Sequence, residues 1–167
     1  MIKTFNSLFV TMFGLGKIKY MPGTFGSLTT VSILYYLFHE LSISPNIIFI
    51  GLIIIFVYSF YAISSYIKKS ENKDPGEIII DEFLGQSIPI YLYEISHGVS
   101  KNDNEAIIYY LVFFILFRYF DIMKPFPVSF FDKNFKNSFG VIMDDICAGF
   151  YVVLTLVCFM IIKSYIL

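Results

Sequence analysis

Five apolar segments, at roughly 24–40, 46–67, 78–95, 105–123 and 140–162, occupy most of this 167-residue chain. No other feature limits its fold as strongly. A helix that spans a bilayer needs about 20 apolar residues. The hydrocarbon offers no water to a backbone that leaves its own N–H and C=O groups unpaired. Runs of this length therefore predict helices. The composition agrees: 57% of residues are hydrophobic and 15% are charged, against about 45–50% and about 25% in soluble domains. The expected fold is all-α: a single domain over 1–167, built as a polytopic membrane helix bundle of about five membrane helices. Segments 24–40 and 78–95 are near the lower length limit. The latter opens with Asp81 and Glu82 and contains Pro89, which predicts a short, kinked or partly re-entrant helix. The opening "MIKTFNSLFVTMFGLG" lacks a small-residue cleavage pattern before Lys17 and reads as mature chain with a candidate interfacial helix.

The linkers carry an orientation signal. Lys3, Lys17 and Lys19 precede the first segment; Lys68, Lys69 and Lys73 follow the second; Arg118, Lys124, Lys133 and Lys136 gather around the fourth connection. Only Lys101 and Lys163 fall elsewhere. Basic residues favour cytoplasmic loops, so the N-terminus is expected inside and the C-terminus outside. That orientation brings six carboxylates to one depth near the cytoplasmic face: Asp81 and Glu82, Asp121, Asp132, and Asp144 and Asp145. Ionised carboxylates are costly to bury without partners, and ionisable groups at one depth on several membrane helices are a functional-site hypothesis. Solvated helix-end charges would be the plainer account, but that side favours Lys and Arg.

Oxygen-rich sites suit hard divalent cations, and Mg²⁺ commonly takes a few carboxylates together with water and phosphate oxygens. Gly85 follows Asp81 by one turn, and Ala148 and Gly149 follow the second doublet by one turn. Small residues there let helices approach closely. In "FRYFDIMKPFP" (117–127), Arg118 and Asp121 share a helical face and Lys124 precedes a proline. These cations suit phosphate binding, or equally an intrahelical ion pair with a snorkelling lysine. In "GLGKIKYMPGTFGS" (14–27), Thr24 is expected to cap the first membrane helix. Its N-terminus, with Lys17 and Lys19, would favour an anion; a plain capped turn is the alternative.

Several chemistries are excluded. His39 and His97 fall on the expected outer side, away from the acids. Cys147 and Cys158 lie eleven positions apart in one expected helix, about three turns, too far to pair within it. No G-x-S-x-G elbow and no Walker loop is present, and no basic face suits nucleic acid. Metal-assisted attack by water remains. A transport or channel role, with the acids as a proton or cation relay, would need ionisable residues through the full membrane depth. The middles of the segments are nearly free of them.

The stretches "PGTFGS" (22–27), "DPGEIIIDEFLGQ" (74–86), "FRYFDIMKPFP" (117–127) and "GVIMDDICAG" (140–149), in this order and spacing, resemble the bacterial phosphatidylglycerophosphatase A family over about residues 7–160. The resemblance implies a Mg²⁺-dependent integral membrane phosphatase. It would remove the terminal phosphate of phosphatidylglycerophosphate at the cytoplasmic face of the inner membrane, giving phosphatidylglycerol. The family's acidic motifs fall on Asp81 and Glu82, on Asp121, and on Asp144 and Asp145. On this reading Asp81, Glu82, Asp144 and Asp145 hold the metal and Asp121 is a further ligand or base. Thr24, Arg118 and Lys124 bind the phosphate ester. The same chemistry on another phospholipid is a further alternative.

Overall fold

A computed structural model describes residues 2–68, 76–97 and 103–166. The polar loop expected at 68–77, with Lys69 and Lys73, lies largely outside them, as do Lys101 and the side chain of His97. Every regular element among the described residues is helical. The order is α1 (Ile2–Val10), a 3-10 turn (Leu15–Lys17), α2 (Pro22–Tyr35) running into a π-helical stretch (Tyr36–Glu40), α3 (Pro45–Ile67), α4 (Ile80–His97), α5 (Asp103–Met123), α6 (Val128–Asn134) and α7 (Ser138–Ile166).

Among the described residues, three helices are long and apolar enough to cross a bilayer: Pro45–Ile67, Glu105–Met123 and Ser138–Tyr165. Their apolar side chains are largely on the outside. Ile50, Ile54, Val57, Ile108, Ile115, Leu154 and Phe159 are all exposed, as suits contact with acyl chains. The expected first and third membrane segments form helices of a different kind. The α-helical part of α2 has 14 residues, about 21 Å at 1.5 Å per residue, and it reaches the expected end at residue 40 only through the five-residue π-helical stretch. Helix α4 has 18 residues, carries Asp81, Glu82 and Glu94, and runs through Pro89. It is packed by α2, α3, α5 and α7, and nearly all of Ile80–Ile90 is buried. Its polar groups therefore face protein instead of lipid, which explains why it lacks the hydropathy of a lipid-exposed span.

Two apolar clusters hold the bundle. One joins Leu34, Ile90, Tyr110, Phe113, Phe117 and Val152 from α2, α4, α5 and α7. The other joins Val10, Ile63, Ile79, Phe83 and Ile142, bringing α1 and α3 against the start of α4 and α7. Helix α1 lies on α3, where Tyr58 donates to Asn6 Oδ1 at 2.7 Å. After α1 the chain reverses through Met12 and Phe13 at positive φ and Gly14 at φ 97°. The Ile79 N–H then bonds the Val10 carbonyl at 3.0 Å, tying this turn to the entry of α4.

Candidate active site

Close helix crossings put the acidic motifs together. Gly85 of α4 and Gly149 of α7 lie at the contact of these two helices: a Cβ on Gly85 would strike the Asp145 carbonyl, and one on Gly149 would strike the Gly85 carbonyl. Pro89, four residues on, has no N–H to offer that Gly85 carbonyl. Gly23 in the first turn of α2 plays the same part on the other side of α4, since a Cβ there would strike Glu82 Oε1 and come within 3.1 Å of Arg118 Nη1. Three helices thus deliver backbone to within contact of the carboxylates.

Asp81, Glu82 and Asp145 each present an oxygen within 4.8 Å of the other two. Asp81 is 8% and Asp145 4% exposed. At an effective dielectric of about 20, two unit charges at such a distance repel by roughly 3 kcal/mol. The ionised trio needs an opposing charge. Arg118 on α5 supplies part of it: its Nη1 lies 2.8 Å from Asp121 Oδ2 and 3.9 Å from Glu82 Oε1, and 3.4 Å from Ser27 Oγ on α2. Arg118 and Asp121 therefore do form the intrahelical pair that their spacing allows, and the same guanidinium also reaches two other helices.

Asp144 turns another way. Its Oδ2 accepts from Lys124 Nζ at 3.1 Å, and the same ammonium lies 2.8 Å from Asp132 Oδ1 on α6. Lys124 is at φ 44°, directly after α5, and points inward to this pair; it does not snorkel to the surface. Lys136 stands 4.0 Å from Asp132. Burial pulls the Lys124 ammonium toward a lower pKa, but the hydrogen bonds and charges of Asp132 and Asp144 outweigh it and hold the pKa above the ordinary lysine value. Burial likewise pushes Asp132 up, yet the Lys124 hydrogen bond and charge, with Lys136 and Lys133, bring it below the usual carboxylate range.

The donor chemistry fits Mg²⁺, a hard cation that takes carboxylate oxygens. Buried polar atoms in native proteins are nearly always paired. Here Glu82 Oε2, Asp145 Oδ1, Arg118 Nε and both amide atoms of Gln86 are buried without a hydrogen-bond partner. Two are free carboxylate oxygens in the trio, and Arg118 Nε is a free donor beside it. Gln86 is 0% exposed and stands one turn beyond Glu82 on the same face of α4.

The expected site residues thus divide into two linked groups. Asp81, Glu82 and Asp145 meet around one point, flanked by Arg118 and Asp121. Asp144, Asp132 and Lys124 form the adjoining group. Thr24 is not the cap of α2. The cap is Met21, in the left-handed region, and Pro22 takes the first helical position, which its fixed φ and missing N–H suit. Thr24 is half-buried in the first turn, next to Gly23. Lys17 and Lys19 are exposed in the preceding turn. His39 pairs at 3.3 Å with Glu94, which also accepts from Tyr110 at 2.9 Å; this group sits at the other ends of α2 and α4 from the acidic site. Sequence reasoning passed over Gln86 and gave Ser27 no role beyond the first turn of α2. The usable signal was an amide at i+4 from Glu82 in an apolar helix, where polar groups are costly.

The fold and the site define an all-helical protein with membrane-crossing helices and a buried carboxylate centre at one end of the bundle. The chain belongs to the phosphatidylglycerophosphatase A family, whose model matches residues 8–160. It is 33% identical over 142 residues to the phosphatidylglycerophosphatase A of Haemophilus influenzae, covering 85% of this chain and 80% of that one. It is 30% identical over 138 residues to that of Escherichia coli K12, covering 82% and 73%. It is also 32% identical over 143 residues, covering 84% of both, to a Bacteroides thetaiotaomicron protein provisionally named a phosphatidylinositol-3-phosphatase. No solved structure matches.

Proposed function

We propose that this protein hydrolyses the terminal phosphate monoester of phosphatidylglycerophosphate, using Mg²⁺ held by Asp81, Glu82 and Asp145 at the cytoplasmic face of a bacterial inner membrane. The observation that carries this reading is the buried trio of carboxylates within 4.8 Å, with oxygens left unpaired, in a chain of this family. Bound there, Mg²⁺ would supply Lewis-acid charge to the phosphate oxygens and lower the pKa of a water.

The remaining work falls to the chain's own groups. Arg118 is anchored by Asp121 and Ser27 and keeps its Nε free, so it can donate to phosphate oxygens from a fixed position. Asp121, fixed by the same pair, is the candidate acceptor of the water's proton. The first turn of α2 brings Gly23 against Glu82 and Arg118, which puts Thr24, at a helix N-terminus that favours anions, one residue from that contact. Lys17, Lys19, Lys133 and Lys136 lie at this end of the bundle, as expected of a cytoplasmic face. A lipid headgroup at that interface meets the site while its acyl chains stay among the exposed apolar side chains.

The relative named for a phosphoinositide motivates a second substrate, phosphatidylinositol 3-phosphate, with the same chemistry. A relay through the membrane fits less well, because the segment of α4 between Glu82 and Glu94 holds no carboxylate or base. The test gives the purified protein in detergent micelles phosphatidylglycerophosphate, phosphatidylinositol 3-phosphate or phosphatidic acid, each with and without Mg²⁺. Phosphate release from the first alone, and only with Mg²⁺, is expected. Release from the inositol lipid instead would transfer the function to that substrate. Folded protein inactive on all three would overturn the reading.

A further inference from the structure

Six carboxylates converge on this end of the bundle, and three of them lie within 3.1 Å of a cation of the chain itself, closer than the 3.9 Å between Glu82 and Arg118. Asp121 is bound by Arg118 at 2.8 Å, and Asp132 and Asp144 are bridged by Lys124 at 2.8 and 3.1 Å. Among the described residues, only Asp81, Glu82 and Asp145 share a point where an ion would find three carboxylates. Two further observations bear on that point. Asp145, 4% exposed, keeps Oδ1 without a partner, and the fully buried Gln86, one turn from Glu82, has neither amide atom bonded.

We infer that the centre takes a single divalent cation, between Asp81, Glu82 and Asp145, and that the Lys124 ammonium is the second positive charge that a two-ion site would draw from a second metal. This rests on the phosphatase reading above and deepens it. Phosphoryl-transfer sites commonly use two cations, one on each side of the phosphate, to stabilise the attacking and leaving oxygens. Here Lys124 sits between the two carboxylates, from α6 and α7, that a second ion would need. It is held there by the left-handed residue geometry that ends α5 and by two acids, and Asp144 adjoins the metal-facing Asp145 along the chain. An ammonium bridging two carboxylates, with Lys136 a further 4.0 Å from Asp132, leaves that subsite close to charge balance, so a second ion has little to gain there.

The test counts bound Mn²⁺ by electron paramagnetic resonance on the full chain in micelles, alongside phosphate release and thermal unfolding. Wild type is expected to bind one ion per chain. Lys124→Gln removes the competing charge. It is expected to bind Mn²⁺ about tenfold more tightly, as loss of one nearby like charge implies, or to take a second ion, while kcat falls. Lys124→Arg keeps the charge and should stay at one ion with wild-type affinity. Two ions in wild type would overturn the inference without touching the hydrolase reading. So would Lys124→Gln with wild-type unfolding and unchanged or weaker Mn²⁺ binding. Phosphate release by a wild type that binds no ion would overturn the metal reading itself. The wild-type count decides even if the glutamine variant does not fold.

Discussion

Substituting Gly85 by alanine tests whether the α4–α7 crossing sets the geometry of the centre. A methyl group there would lie 2.7 Å from the Asp145 carbonyl carbon and 2.8 Å from Phe117 Cε2. Carbon atoms prefer about 3.5–4.0 Å, so one neighbour has to retreat by roughly 0.7–1 Å. Phe117 is fully buried and has little room, and the carbonyl belongs to the backbone that carries Asp145. The displacement therefore falls largely on Asp145, relative to Asp81 and Glu82 on the other helix. Metal–ligand distances tolerate only about 0.2 Å, and a misplacement of about 1 Å in an active site can cost on the order of a hundredfold in rate. Overpacking alone costs about 1–3 kcal/mol, which leaves a folded population to assay. Gly85→Ala should thus lose roughly a hundredfold in phosphate release from micellar phosphatidylglycerophosphate and weaken Mn²⁺ binding, with a modest drop in unfolding temperature. Wild-type turnover and Mn²⁺ affinity in this variant would show that the glycine contact does not position Asp145.

Gln86→Leu removes two buried polar atoms without partners, each worth about 1–3 kcal/mol when unsatisfied. The metal-free protein should become more stable to heat while phosphate release falls, and a loss of stability would mean the amide is satisfied in the fold. Asp145→Asn should abolish Mg²⁺-dependent release and also the rise in unfolding temperature on adding Mg²⁺, whereas a retained rise would remove Asp145 from the ligand set. Asp132, held below the usual carboxylate range by Lys124, stabilises the fold above its unfolded pKa of about 3.9, and that contribution is lost as pH falls through the lower folded value. The stability gap between wild type and Asp132→Asn, read by thermal unfolding, should therefore be level from about pH 5 to 9 and close below about pH 4. A gap that persists at acid pH would mean that the ion pair is not its source.

Much of the architecture was readable because apolar length and helical structure are tied by the bilayer. Segments 46–67, 105–123 and 140–162 fall on α3, α5 and α7 within a few residues. The short helix α6 was not foreseen, since "VSFFDKN" is too brief to show a period. The convergence of Asp81, Glu82, Asp121, Asp132, Asp144 and Asp145 at one end followed from the alternation of basic loops. Which member of each doublet faces which partner did not. Adjacent residues on a helix point about 100° apart, and the rotation of α7 is set by Gly149 against Gly85, not by local sequence. Hence Asp145 joins the first doublet while Asp144 meets Lys124. The cap of α2 was misplaced by three residues, at Thr24 instead of Met21, because Thr24 resembles a cap, whereas Pro22 occupies the first helical position more readily.

The enclosure of α4 bears on how such a protein is made. Asp81 and Glu82 meet Asp145 only when α7, which begins more than forty residues after α4 ends, packs on α4. A nascent chain that has reached only α5 would hold Asp81 and Glu82 beside the Arg118–Asp121 pair, without Asp145. The three-carboxylate centre is therefore complete only once α7 is in place.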